Sequence, residues 1–144
     1  MDFYPEGGDM VVGLPGRVYL EAHDEHGKPA DIAGEILSSG GEVVAAVRTV
    51  HDGLGRFDLT PQLGEGYSLR ITEPAGFTGE YTLPRAAPDG CVLRSFDDLD
   101  GALNALRVQV QCTDEQVVFV SATRDGQLTD AAEVLASRED PAVV

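Results

Sequence analysis

The sequence contains no tryptophan, and aromatic residues make up only 6% of its 144 positions. A sugar-binding platform built on stacked tryptophan faces is therefore not expected. Positive charge is also scarce, because 10 lysine and arginine residues stand against 25 aspartate and glutamate residues and give a formal net charge of −15. Such a chain repels nucleic acids and anionic lipid surfaces, so we expect no nucleic-acid partner.

Long hydrophobic runs are missing as well. No apolar stretch approaches the roughly 20 residues of a membrane-spanning helix, so we expect no direct insertion into a membrane. The chain begins acidic and turns at once into Gly7 and Gly8, which is unlike a secretory signal peptide. Two interpretations stay open at this point: a cytosolic protein, or a segment that belongs inside a longer exported chain.

Motifs of known catalytic sites are also absent. The sequence holds no Gly-x-Ser-x-Gly, His-Glu-x-x-His or cysteine–histidine pattern. His23, His26 and His51 are better explained as surface or turn residues than as acid–base or metal-binding groups, and His51 is expected to bond to the local backbone. The glycines of residues 52–55 precede a strand-like segment instead of a helix, so they predict a turn and not a phosphate loop. We therefore expect no enzymatic activity and no cofactor.

The patterns that are present indicate an all-β protein. Within residues 1–84, about seven short alternating segments recur at roughly ten-residue spacing and are separated by glycine or proline, which predicts an antiparallel β-sandwich. The clearest segment is residues 49–61, where we expect Asp52-Gly53 and Gly55 to supply the positive φ angles of a hairpin turn. The predicted core consists of Val18, Leu20, Ile36, Val47, Phe57, Leu59, Tyr67, Leu69 and Ile71.

A second β segment is predicted over residues 85–144, after a proline-containing linker at residues 84–88. Its predicted strands are residues 91–96, 103–112 and 116–123, while residues 130–136 fit either a short helix or a fourth strand. The tail after residue 136 is expected to be loosely held.

So few strands cannot close a second sandwich, and they leave an apolar face and a strand edge uncovered. We therefore expect a partial second β domain that docks on the first domain or on a neighbouring chain, which makes a homo-oligomer possible through this segment.

The two cysteines, Cys91 and Cys112, both fall in this second segment. If residues 97–101 form a hairpin turn, antiparallel strands bring Cys91 nearly opposite Cys112. A disulfide there would close a loop of about 20 residues, stabilise the fold by roughly 3 kcal/mol and indicate an oxidising compartment. Two unpaired, partly buried thiols are the alternative, whereas zinc would lack the four ligands that it needs.

Asp97, Asp98 and Asp100 form the densest carboxylate cluster. Calcium prefers oxygen ligands of this kind, but the spacing is not that of an EF-hand loop. Aspartate also suits turn backbones, so a solvated turn is the preferred interpretation and no metal site is predicted.

Five phrases of the sequence occur in an order that resembles macroglobulin-like domains, the β-sandwich repeats of the alpha-2-macroglobulin superfamily and of related bacterial exported proteins. They are Phe3-Tyr-Pro-Glu-Gly-Gly, Gly13-Leu-Pro-Gly-Arg-Val, Asp24-Glu-His-Gly-Lys-Pro, Thr49-Val-His-Asp-Gly-Leu-Gly-Arg-Phe and Tyr67-Ser-Leu-Arg-Ile. The resemblance covers residues 3–84, and residues 85–124 resemble the opening strands of a further domain. It implies a seven-stranded immunoglobulin- or fibronectin-like sandwich within a longer extracytoplasmic chain.

The thioester of protease-trapping members of that family is not matched, because Val-Leu follows Cys91 and Thr-Asp follows Cys112. We therefore expect a non-catalytic structural or interaction module whose partners are other domains of the same parent protein or a separate protein. A calcium- or glycan-binding β-sandwich is the alternative.

Overall fold

The computed structural model describes residues 1–96 and 106–144. All regular secondary structure in these two ranges is β-strand, which confirms the predicted all-β class. The strands are β1 Asp2–Pro5, β2 Gly16–Glu21, β3 Ala33–Ser38, β4 Val43–His51, β5 Leu54–Leu59, β6 Tyr67–Glu73, β7 Glu80–Thr82, β8 Cys91–Ser95, β9 Val108–Cys112, β10 Gln116–Arg124, β11 Gln127–Ala136 and β12 Ala142–Val143. Over the same ranges, no helix long and apolar enough to cross a membrane is found.

The first seven strands form one curled antiparallel sheet in the order β1-β2-β5-β4-β3-β6-β7. Strand β4 is where the sheet bends, because its first part pairs with β3 whereas its last residues, Thr49 and His51, pair with β5. The register shifts between those two residues, and such an irregularity lets a strand change direction. The bend allows the two halves of the sheet to enclose a common core.

That core is the one predicted from strand alternation. All nine predicted residues are at most 7% exposed. Strand β5 illustrates the alternation of inward and outward side chains. Phe57 and Leu59 point into the core, whereas Arg56 and Asp58 face solvent. Four further residues complete the core at strand ends and in loops: Met10, Ala22, Ile32 and Leu83.

The predicted hairpin turn between β4 and β5 is a two-residue turn. Asp52 has φ 50° and Gly53 has φ 72°, the paired positive angles of a turn that matches strand twist. The same expectation for Gly55 is wrong, because that residue lies inside β5 and its φ is not positive. Gly55 serves close packing instead, since an added Cβ would lie 3.2 Å from the carbonyl oxygen of Arg48.

Gly53→Ala tests how closely this turn approaches β2. An added Cβ would lie 2.3 Å from the carbonyl oxygen of Ala22, so we expect a loss of about 2 kcal/mol in the free energy of unfolding, measured with denaturant. Gly64→Ala is the matched control, because Gly64 has φ 79° but nothing within 4 Å. It should lose only about 1 kcal/mol. Equal losses in the two variants would contradict a role for the close approach.

The second segment forms a three-stranded sheet, β12-β9-β8, and a separate two-stranded hairpin, β10-β11. We call the three-stranded sheet the base sheet and the hairpin the arm. Residues 130–136, which the sequence left open between helix and strand, belong to β11. The expected loose tail is wrong: β12 pairs with β9, and Val144 and Val108 exchange two backbone hydrogen bonds of 2.9 Å. The tail is held because the outer edge of β9 offers it unpaired backbone groups.

The predicted linker at residues 84–88 is also held by backbone contacts. Ala87 forms a parallel bridge with Val11. The Ala87 N–H donates to the Met10 carbonyl at 2.8 Å, and the Ala87 carbonyl accepts from the Val12 N–H at 2.9 Å. The connection between the two segments is therefore bonded to the first one along its side.

Candidate functional site

The base sheet carries both cysteines. The register of β8 and β9 places Cys91 directly opposite Cys112, and the same register continues to Ser95 opposite Val108. The two sulfur atoms are joined in a disulfide that spans 21 residues of sequence. Cys112 is fully buried and Cys91 is partly buried, and both belong to the apolar cluster of this segment. The predicted turn at residues 97–101 lies outside the described residues.

The two faces of the base sheet contact different parts of the molecule. One face, through Val92, packs into a small buried cluster with Val11 and Leu14 of the first segment. The other face contributes Val110 and Cys112 to a second cluster, which the arm completes. The base sheet is thus enclosed between the curled sheet on one side and the arm on the other.

Polar contacts reinforce the junction of the two segments. A carboxylate oxygen of Glu6, Oε1, accepts a hydrogen bond of 2.8 Å from the backbone N–H of Ser95. The Arg17 side chain is only 6% exposed and lies 3.8 Å from the other Glu6 oxygen and 3.7 Å from Asp58. Arg138 adds a hydrogen bond of 3.0 Å to the Gly13 carbonyl. These contacts fix how the base sheet sits on the first segment.

Sequence reasoning missed Glu6 and Arg17. Arg17 lies on the face of β2 opposite to the inward residues, so alternation along the strand predicts an exposed side chain. The side chain is nevertheless buried. The sheet face that it occupies is covered by residues of the second segment that lie far away in sequence. No local signal could have found that contact.

The arm projects from the base sheet as a long antiparallel ribbon. Its pairing runs from Gln116 opposite Ala136 to Arg124 opposite Gln127, and a turn at Asp125 and Gly126 joins the two strands. Val118 and Val120 on its near face are partly buried against the base-sheet cluster. The base sheet therefore covers only one of the two faces of the arm.

The far face of the arm exposes three large apolar side chains next to one carboxylate, Glu133. Phe119 is 76% exposed, Val117 54% and Leu135 57%. Val117 and Leu135 lie directly opposite each other, and Phe119 follows on the same face opposite Glu133. A strand with solvent on one face normally alternates between apolar and polar residues, whereas apolar residues on both faces are typical of strands covered on both sides. The far face thus has the composition of a contact surface.

The outer edge of β10 is uncovered too. In the part of the chain that the structure describes, β10 pairs only with β11, so alternate backbone groups along its other side have no ladder partner. Residues 116–123 carry no charged side chain and no proline, although 24% of the chain is charged. Charges and prolines are the usual devices that prevent strand edges from pairing with other chains. The pairing between β10 and β11 is regular except for one register shift between Ala122 and Thr123.

The histidines lie in separate local settings. The His51 side chain was expected to bond to the local backbone. Its Nε2 atom instead lies 3.0 Å from a carboxylate oxygen of the Asp52 side chain. His23 Nε2 lies 3.2 Å from Glu21, and His26 is 69% exposed. His23 and His26 line an open cavity of about 630 Å³ at one end of the curled sheet.

No cluster of metal-binding side chains occurs in residues 1–96 and 106–144. The carboxylate cluster considered for calcium, Asp97, Asp98 and Asp100, lies outside the described residues. In the glycine-rich segment at residues 52–55, Asp52 and Gly53 form a turn as predicted, whereas Leu54 and Gly55 already belong to β5.

Comparisons with models of known protein families, with characterised proteins and with solved structures find no match to this chain. The macroglobulin-like resemblance therefore stays a prediction that depends on the five sequence phrases.

Proposed function

We propose that this chain is a non-catalytic β-module that acts by protein–protein contact, with the arm as its contact surface. The observation that carries the proposal is the far face of the arm, where Phe119, Val117 and Leu135 expose apolar side chains on a ribbon already covered on its other face. An isolated two-stranded ribbon is only marginally stable in water, so covering this face would stabilise it.

A finer fold assignment belongs to the same proposal: residues 1–84 are an immunoglobulin- or fibronectin-like sandwich of the macroglobulin-like kind. The strand order supports it, because β1, β2 and β5 lie on one side of β4 while β3, β6 and β7 lie on the other. Residues 85–144 would then be part of a second such domain, and the few strands of the base sheet agree with this.

Location outside the cytoplasm is the second element of the proposal. The Cys91–Cys112 disulfide supports it, because disulfides persist in oxidising compartments and are rare in the cytosol of most organisms. In that setting the module would orient or dock other domains of a larger exported or cell-surface protein. Its partner is either another domain of the same parent protein or a separate protein.

Site-specific photo-crosslinking tests the contact role of the arm. A benzophenone amino acid replaces Phe119 in one variant and Val43 in another, and both variants are expressed in the cells that naturally make the protein. Val43 is the matched control because it is an apolar residue of the first segment and is 47% exposed. We expect a discrete crosslinked protein product from position 119 and none from position 43. Absence of a product at 119, or equal products at both positions, would contradict the proposal.

A further inference from the structure

We infer that the arm joins a second copy of this chain through antiparallel pairing of β10 with β10 of that copy. The inference depends on the proposed function, which assigns contact to the arm, and it adds the identity of the partner. The outer edge of β10 has a row of backbone groups without a ladder partner in the described residues. A two-fold axis through this edge would pair each copy with the same surface of the other.

Charge distribution favours β10 over β11 for this contact. The chain carries a net charge of −15, so two copies repel each other over most of their surfaces. Residues 116–123 contain no carboxylate, whereas β11 contains Asp130 and Glu133. Self-pairing through β11 would bring like charges of the two copies together, and like charges across strands are destabilising. The edge of β10 is where two such acidic chains can approach.

One register satisfies both the side chains and the charges. When the pairing is centred on Phe119, that ring lies opposite its symmetry mate on the far face, where it is now 76% exposed. Aromatic pairs across strands are favourable. The same register brings Arg124 towards Asp114 of the second copy, and the two-fold axis repeats this ion pair at the other end. Arg124, the only charged residue of β10, already lies 3.9 Å from Asp125 of its own chain, and this register adds a second carboxylate from the other copy.

The pairing also changes the size of the sheet. The two-stranded arm becomes the middle of a four-stranded sheet in the order β11-β10-β10-β11. Sheets of three or more strands with an apolar face are independently stable, whereas a single two-stranded ribbon is marginal. Association thus removes the open edge of β10 and stabilises the arm in one step.

Sedimentation velocity on the full, oxidised chain from micromolar to submillimolar concentration tests the inference. We expect a reversible dimer, with a dissociation constant raised about 100-fold or more by Phe119→Lys, because two lysines would replace the aromatic pair at the axis. Leu128→Lys is the matched control: it is an equally simple exposed change, at a residue that is 64% exposed and lies on β11. It should leave the dissociation constant unchanged.

A charge swap tests the register. Arg124→Asp and Asp114→Arg should each weaken the dimer about 10-fold, and the double variant should restore it. These side chains are exposed, so circular dichroism should show the same fold for each variant. A wild-type chain that stays monomeric, a dimer unaffected by Phe119→Lys, or a double variant without restored affinity would each overturn the inference. A monomer that still crosslinks from position 119 to a different protein would overturn only the identity of the partner and leave the proposed function standing.

Discussion

Phe57→Ala is expected to lower the free energy of unfolding by about 3–5 kcal/mol. Phe57 is 5% exposed in the centre of β5 and lies opposite Val18 of β2, inside the curled sheet. Removing the ring leaves a cavity whose walls belong to paired strands and cannot collapse freely. Chemical denaturation of the two proteins, followed by circular dichroism, measures the difference.

Phe77→Ala is the matched control for that experiment. The same atoms are deleted, but Phe77 is 51% exposed and precedes β7, so the expected loss is below about 1 kcal/mol. If Phe57→Ala lost as little as its control, the side chains of β5 would have to point the other way, because a one-residue slip exchanges the faces of a strand.

Replacing both cysteines, Cys91→Ala with Cys112→Ala, is expected to destabilise the base sheet and the arm by about 3 kcal/mol. The disulfide closes a loop with a sequence separation of 21 and lies beneath the arm, so its loss frees the unfolded chain and weakens the support of β10 and β11. Amide hydrogen exchange should show faster exchange in β8, β9 and the arm. The core amides of the curled sheet should exchange as before.

Reduced wild-type protein is the control for the cysteine variant. It lacks the bond but keeps both sulfur atoms in the buried cluster, so the difference between the two samples measures lost packing alone. Unchanged exchange in the arm after either treatment would contradict the role of the disulfide as its support.

The core of the first segment could be predicted because its signal is local. Alternation with a period of two assigns each strand residue to a face, and it placed Phe57, Leu69 and the other predicted residues inside. The positive φ angles at Asp52-Gly53 could be predicted for the same reason, since the preference of such a pair for a tight turn is local.

What the sequence did not reveal depends on distant neighbours. Gly55 reads as a turn residue, yet its function is to let β4 and β2 approach β5. The burial of Arg17 depends on a sheet formed some 75 residues later, and the order of the tail depends on the free edge of β9. In each case tertiary packing overrides the local preference.

The candidate site was predictable only in part. The strand register that brings Cys91 opposite Cys112 could be anticipated, but the sequence left oxidised and reduced cysteines equally open. Residues 117–120 are apolar without interruption, and such a run fits a strand buried on both faces as well as an exposed ribbon. Which neighbours cover it is a property of the assembled structure.

The parallel bridge between Val11 and Ala87 has a mechanical consequence. The two chain segments run in the same direction at this isolated bridge. Tension that pulls the start of the chain away from the base sheet therefore loads both hydrogen bonds at Ala87 in shear, at the same time. The arm responds differently, because a force that separates the two ends of an antiparallel hairpin breaks its pairs one after another. Under stretching, the junction of the two segments would therefore act as a clamp, and the arm would be the part that peels open.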